Sequence, residues 1–236
     1  MKIDIQRSEE RGKDNYGWLK TRYSFSFNTY HNPNRMDFGA LRVLNDDVIQ
    51  GGGGFGTHPH ENMEIISIVT EGALEHKDDM GNFGVIPAGY IQRISAGTGI
   101  NHSEFNHSKT ENVHLFQIWI HPKENGTEPS YEQKQFSTSV KKNKLLPVVS
   151  CDGDDNALYI HQDAVLSLGE LDQNVSVKYN MRSNQNGVYV FIIRGEVKIG
   201  NDTLSDRDAA GITEVNDIEI TAIKPSYVLV IEVPMD

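Results

Sequence analysis

The chain has one cysteine, Cys151, in 236 residues, so no internal disulfide can form, and neither a disulfide scaffold nor a thiolate-ligated metal cluster is available to it. Cys151 itself reads as a packing or incidental residue. Long apolar runs are missing: none approaches the ~18 residues that span a bilayer as a helix. The N-terminal Met1-Lys2-Ile3-Asp4-Ile5 lacks the apolar stretch and small-residue cleavage site of an export signal. A cytoplasmic chain with no membrane partner is expected. Positive charge is in short supply, with 22 Lys and Arg against 33 Asp and Glu and a formal net charge of −11. Such a balance repels a phosphate backbone at long range, and the one compact basic cluster, Lys141, Lys142 and Lys144, is too short to reverse it. Direct nucleic-acid binding is therefore not expected. Also lacking is any long segment with a 3.6-residue apolar period, which leaves little room for α-helix.

What the sequence does have is a succession of short strand-like runs punctuated by Gly, Pro, Asn and Asp. Residues 24–27, 41–44, 63–69, 114–120, 188–193, 218–222 and 227–233 are the clearest. Turn signals such as Met80-Gly81-Asn82, Pro87-Ala88-Gly89 and Gly200-Asn201-Asp202 fall between them. The chain is expected to be all-β. With 37% hydrophobic residues its length allows two modest domains, each with its own core. A polar stretch over residues 122–129, the lysine cluster, and the run Cys151-Asp152-Gly153-Asp154-Asp155-Asn156 separate two strand-rich halves, which places domains at 1–140 and 141–236. Residues 65–72 (IISIVTEG) and 188–195 (VYVFIIRG) repeat an apolar run ending in a charged residue and glycine. Taken alone, this is weak support for duplication.

Two histidine-bearing pairs carry the chemical signal. In a strand, side chains at i and i+2 share a face, so His58-Pro59-His60 sets two imidazoles side by side where one ion can bridge them. Pro59 has no N–H to give a ladder, so this point belongs at a strand start, an edge or a bulge. His102-Ser103-Glu104 repeats the spacing with a carboxylate. Either pair alone has a bland reading, a chance His-x-His or a hydrogen-bonded surface pair. Together, His58, His60, His102 and Glu104 form a mixed N/O set suited to iron, manganese, cobalt, nickel, copper or zinc, and poorly suited to magnesium or calcium. Four protein donors leave one or two coordination positions open, as metal catalysis requires. Strand parity carried on from His60 puts Glu64, Ile66 and Ile68 on the same face, with Glu64 either a fifth ligand or a carboxylate that orients an imidazole. His31, His76, His107, His114, His121 and His161 show no such partnered spacing and are read as packing or surface residues.

These residues resemble the cupin superfamily and, more closely, the pirin family. The first cupin motif is matched by Gly52, His58, His60, Glu64 and Gly72, with one extra residue before the last glycine. The second is half present: Gly81, Pro87 and Gly89 fit, but Gln92 stands where cupins place a metal-binding histidine. The pirin pattern accounts for this departure, since its remaining ligands come from a later His-x-Glu, matched by His102 and Glu104 in Gly97-x-Gly99-x-x-His102-Ser103-Glu104. Gly17-Trp18-Leu19, Leu41-Arg42-Val43-Leu44-Asn45-Asp46-Asp47 and Leu115-Phe116-Gln117-Ile118-Trp119 are also similar to that family. The resemblance implies a bicupin, two tandem antiparallel jelly-roll β-barrels with little helix. It also implies one divalent transition metal per chain in the N-terminal barrel, iron(II) before copper, manganese, cobalt, nickel or zinc.

Pirin-like proteins of this pattern are similar to quercetin 2,3-dioxygenases, which implies a flat flavonol-like substrate and O2 as partners. In that reading the metal binds the substrate 3-hydroxyl, and Glu104 or Glu64 is the catalytic proton acceptor. Met63, Phe116 and Trp119 are candidate pocket walls, with core packing as the default for all three. The alternative from another class is a metal- or redox-sensing regulator that acts through a protein partner.

Overall fold

The structure, a computed structural model, describes residues 1–153 and 156–235; Asp154 and Asp155 of the polar run at the expected domain boundary lie outside the described residues. Helix is scarce among the described residues, with a 3-10 turn at Ser8–Glu10 and one α-helical turn at Thr138–Lys141. None is long and apolar enough to cross a membrane.

Each half pairs a seven-stranded sheet with a four-stranded one. In the N-terminal half the larger sheet runs Ser130–Gln135, Tyr90–Ser95, Glu64–Glu71, Val113–Ile120, Leu41–Ile49, Leu19–Tyr23, Gly12–Asn15. The smaller runs Gly54–His60, Ile100–Asn106, Ala73–Asp78, Phe83–Pro87. The C-terminal half repeats the plan: Lys2–Gln6, Ala209–Thr213, Asn186–Arg194, Ser226–Pro234, Val165–Leu171, Leu146–Ser150, Leu158–Tyr159 in one sheet. The other is Ser176–Asn180, Asp217–Ala222, Glu196–Ile199, Asp202–Ser205. The two repeat segments, within Glu64–Glu71 and Asn186–Arg194, hold the third place in their sheets. Each strand is followed by a glycine in the left-handed region, Gly72 at φ 71° and Gly195 at φ 102°. Lys2–Gln6 lies at the edge of the C-terminal sheet, although the expected division put residues 1–140 in the N-terminal barrel. It fills the place that Ser130–Gln135 fills in the N-terminal sheet.

Strand parity decides where each side chain goes. Along Val113–Ile120, Phe116, Ile118 and Ile120 belong to a core shared with Phe191, Leu229 and Ile231 of the other half, so the two larger sheets pack back to back. Leu115 points the opposite way, into the N-terminal barrel with Leu74 and Ile86 of the smaller sheet. With both faces covered, the strand reads as an almost unbroken apolar run, as buried strands do. In the C-terminal barrel the sheet positions equivalent to the histidine-bearing strands carry Tyr179, Ile218 and Ile220, which pack with Val188 and Val190.

Candidate metal centre

Gly54–His60 is the edge strand of the smaller N-terminal sheet, so the missing N–H of Pro59 disrupts no central ladder. It lies tight against Ile100–Asn106: a Cβ on Gly54 would sit 2.4 Å from Phe105 Cδ1 and 2.6 Å from the Glu104 carbonyl oxygen. The register sets His102 opposite His58 and Ile100 opposite His60, with an irregularity between His102 and Glu104. Three imidazoles consequently converge. Ring centroids are 4.8 Å apart for His58 and His60, 4.5 Å for His58 and His102, and 4.9 Å for His60 and His102.

Hydrogen bonding fixes which nitrogen of His58 faces inward. His58 Nδ1 lies 2.8 Å from the Gly56 carbonyl oxygen, an acceptor only, so Nδ1 carries the proton and Nε2 offers a lone pair. That Nε2 is 3.1 Å from His102 Nε2. Burial, then the neighbouring imidazoles, pushes His60 down to about 4 and His102 to about 3. Both rings are therefore neutral at physiological pH, the form that binds metal. Candidate ligand atoms of His58, His60 and His102 all lie within 4.8 Å of one another, as do those of His76, His102 and Glu104. Glu104 lines the same cavity as the three histidines. Its Oε1 accepts from Gln92 Nε2 at 2.9 Å and from Ser67 Oγ at 3.4 Å, and its Oε2 from Gln117 Nε2 at 2.6 Å. Neutral imidazole nitrogens with a fixed carboxylate suit a divalent transition metal.

Glu64 is not brought to this cluster. Asn62 adopts a left-handed conformation, φ 48°, which ends one strand before another begins at Glu64 in the larger sheet, so parity counted from His60 does not carry across. The Glu64 carboxyl instead accepts from Ser95 Oγ at 2.7 Å, and burial raises its pKa. Ile66 and Ile68 likewise face the other half, while Ile65 lines the cavity.

The cavity encloses about 410 Å³ beside the histidines. Its walls include Trp18, Phe27, Phe55, Ile65 and Trp119, with Asn45, Asp47 and Gln117 as polar members. Trp18 meets Phe55 edge-on at 5.1 Å, and Trp119 meets Phe27 at 5.3 Å and His60 at 5.0 Å. Of the three walls suggested by the sequence only Trp119 is among them: Phe116 faces the other half, and Met63 packs against Ile65, Ile94 and Ile100. Burial pushes the Asp47 carboxyl up to about 7. His76 reads from its sequence context as a packing or surface residue. It is fully buried, bonded through Nε2 to Asp78 Oδ2 at 3.0 Å, and stacked on Tyr131 at 4.4 Å. The signal was the same i, i+2 spacing in His76-x-Asp78.

Comparison with known proteins gives consistent matches along the chain. The Pirin family model matches residues 4–120, and the model of the quercetinase C-terminal cupin domain matches residues 147–233. A quercetin 2,3-dioxygenase from Escherichia coli K12 is 44% identical over 232 residues, 98% of this chain and 99% of that protein. A pirin-like protein from Caulobacter vibrioides is 38% identical over 231 residues, 98% of this chain and 99% of its own. Among solved structures, the bacterial pirin YhhW from Escherichia coli in complex with nickel(II) matches with a TM-score of 0.95 at 42% identity, covering 100% of both chains.

Proposed function

Because the chain belongs to the pirin family, we propose that it is a metal-dependent dioxygenase that cleaves quercetin or a related flavonol with O2. Both oxygen atoms enter the product of the opened heterocycle, and carbon monoxide leaves. The observation that carries this reading is the meeting of three imidazoles and a carboxylate in a cavity whose other walls include Trp18, Phe27, Phe55 and Trp119.

In this reading His58, His60, His102 and Glu104 hold one divalent ion per chain. Iron(II) is the first candidate, and the donor set also admits copper, manganese, cobalt, nickel and zinc. A bound ion supplies an open position and lowers the pKa of a hydroxyl held there. Glu104 takes the proton of the substrate 3-hydroxyl, with its carboxylate kept in place by Gln92 and Gln117. Glu64, the other carboxylate named from the sequence, is engaged by Ser95 and has no part in this step. Trp18, Phe55 and Trp119 offer ring faces and edges to a flat substrate and keep water from the reacting atoms.

The test is metal content of the purified protein together with oxygen uptake on quercetin, after loading with iron(II), copper(II), manganese(II), cobalt(II), nickel(II) or zinc(II) in turn. About one ion per chain with many turnovers per ion supports the proposal and identifies the competent metal. One ion without oxygen uptake under any loading would overturn the dioxygenase reading, and no ion at all would overturn the metal centre.

A further inference from the structure

The cavity holds more unpaired hydrogen-bonding atoms than a purely apolar occupant would use. Asn45 and Asp47 are two residues apart on the Leu41–Ile49 strand and so share a face. Gln117 lies across from Asn45 on the neighbouring strand. All three line the cavity, yet they are only 5%, 3% and 8% exposed. Asn45 Oδ1, Asp47 Oδ1 and Gln117 Oε1 find no hydrogen-bond partner among the described residues. The Gln117 amide is oriented without ambiguity: its Nε2 donates to the Glu104 carboxylate, which can only accept while ionised, so Oε1 is the free end. Thr21 pairs with Asp47 across the adjoining strands and its hydroxyl eases the burial of that carboxyl, but it stays beyond full hydrogen-bond distance of Asp47 Oδ1. Buried acceptors left open in this way destabilise a fold, and a cluster of them on one cavity wall calls for donors from an occupant.

Cavity shape supplies a second observation. Trp18, Phe27, Phe55, Asn45 and Asp47 also border an adjoining space of about 260 Å³, whose further walls include Tyr16, Tyr23 and Asn28. None of the candidate metal ligands lines this annex. Asn45 and Asp47 therefore stand between a chamber that contains the histidines and one that does not.

We propose that Asn45, Asp47 and Gln117 form a subsite for the hydroxyl groups of a polyhydroxylated phenolic ring, so that the pocket selects flavonols by hydroxylation at positions away from the metal-bound oxygen. The choice of flavonols as the occupant class rests on the dioxygenase reading above; the need for a hydroxyl-bearing occupant rests on the unpaired acceptors.

The test compares quercetin with 3-hydroxyflavone, which keeps the metal-facing hydroxyl and lacks the others. Binding to nickel(II)-loaded protein is measured without oxygen, through quenching of tryptophan fluorescence. Quercetin is expected to bind at least about tenfold more tightly, the scale of one hydrogen bond to a buried acceptor. Asp47→Leu is expected to cost quercetin about tenfold more than 3-hydroxyflavone and to raise the melting temperature by removing an unpaired buried carboxyl. Asp47→Asn restores an acceptor and should retain most of the preference. Should Asp47→Leu fail to fold, Asn45→Ala reads the same discrimination. Equal binding of the two flavonols by the unaltered protein, or parallel losses in the variants, would overturn the subsite. Oxygen uptake separates the two proposals: turnover of both flavonols without preference removes the subsite alone, while a binding preference without turnover removes the dioxygenase reading alone.

Discussion

Gln92 occupies the position at which a cupin's second motif supplies a metal-binding histidine, and its amide here donates to Glu104 Oε1 at 2.9 Å. The residue orients a carboxylate from another strand, the one proposed above as a metal ligand. Its role differs from that of Ser67, whose hydroxyl reaches the same oxygen only at 3.4 Å. Gln92→Leu should lower nickel(II) affinity by about 10- to 100-fold, measured by calorimetric titration, while Ser67→Ala should cost much less. The imidazoles make a prediction of their own for the metal-free protein. His60 and His102 titrate near 4 and 3 when folded, because burial and adjacent rings disfavour their charged forms. An unfolded chain takes up those protons near pH 6.5. Between about pH 6.5 and 4 the unfolded state therefore binds more protons than the native state, so stability falls as pH is lowered through that window. Above pH 6.5 the two rings add no further pH dependence. Melting temperatures of metal-free protein from pH 7.5 to 4.5 should show the decline, and His102→Gln should make it shallower.

At the scale of a strand, parity explains both what was legible in the sequence and what was not. His58 with His60, and His102 with Glu104, could be paired by spacing because each pair sits within one uninterrupted strand. Glu64 could not be placed by the same count, because the left-handed Asn62 ends the strand before it. Asparagine tolerates that conformation and gives no cue that separates a strand break from an ordinary polar residue. Phe116 and Trp119 are an odd number apart and face opposite sides, but a strand buried on both faces is apolar throughout and hides which side is which. The polar wall of Asn45 and Asp47 was hidden differently: in Asn45-Asp46-Asp47 three polar residues run together, and only the sheet shows that the outer two share the cavity. The pairing of Gly54–His60 with Ile100–Asn106 gives the prediction at this scale. Gly54→Ala places a methyl 2.6 Å from the Glu104 carbonyl oxygen, so the edge strand must shift. Overpacking of this kind costs about 1–3 kcal/mol. Because the displaced strand carries His58 and His60, nickel(II) affinity should fall as well, a joint loss that titration and thermal melting would register together.

Across the whole molecule the two halves share one sheet plan, and the first strand crosses from one to the other. Lys2–Gln6 completes the C-terminal sheet, and Arg7 fastens the crossing with an ion pair to Asp208 at 2.8 Å. Where the chain returns to the N-terminal half, Arg11 lies buried over the Phe191 ring, 4.9 Å from its centroid, and 3.3 Å from Asp46. Asp46 also takes a hydrogen bond from His114 at 2.6 Å and faces Arg207 of the C-terminal half at 3.6 Å. Burial alone would raise its pKa, but the His114 bond and the Arg207 and Arg11 charges outweigh that and hold it below the ordinary carboxylate value. A buried pair of this kind adds little net stability, whereas removal of one partner leaves an uncompensated charge that costs about 3–5 kcal/mol. Asp46→Ala should therefore destabilise the protein by that order. Because Arg11, Arg207 and the core shared by the larger sheets tie the halves together, the loss should appear as one transition moved to lower denaturant. Urea unfolding provides the measurement: tryptophan fluorescence reports only the N-terminal half, through Trp18 and Trp119, and far-ultraviolet circular dichroism reports both. Coincident midpoints in the parent protein and the variant are expected. A fluorescence transition that separates from the dichroism transition would show that each half keeps its own stability, and the crossing strand and the Asp46 cluster would then be local features and not the joint between them.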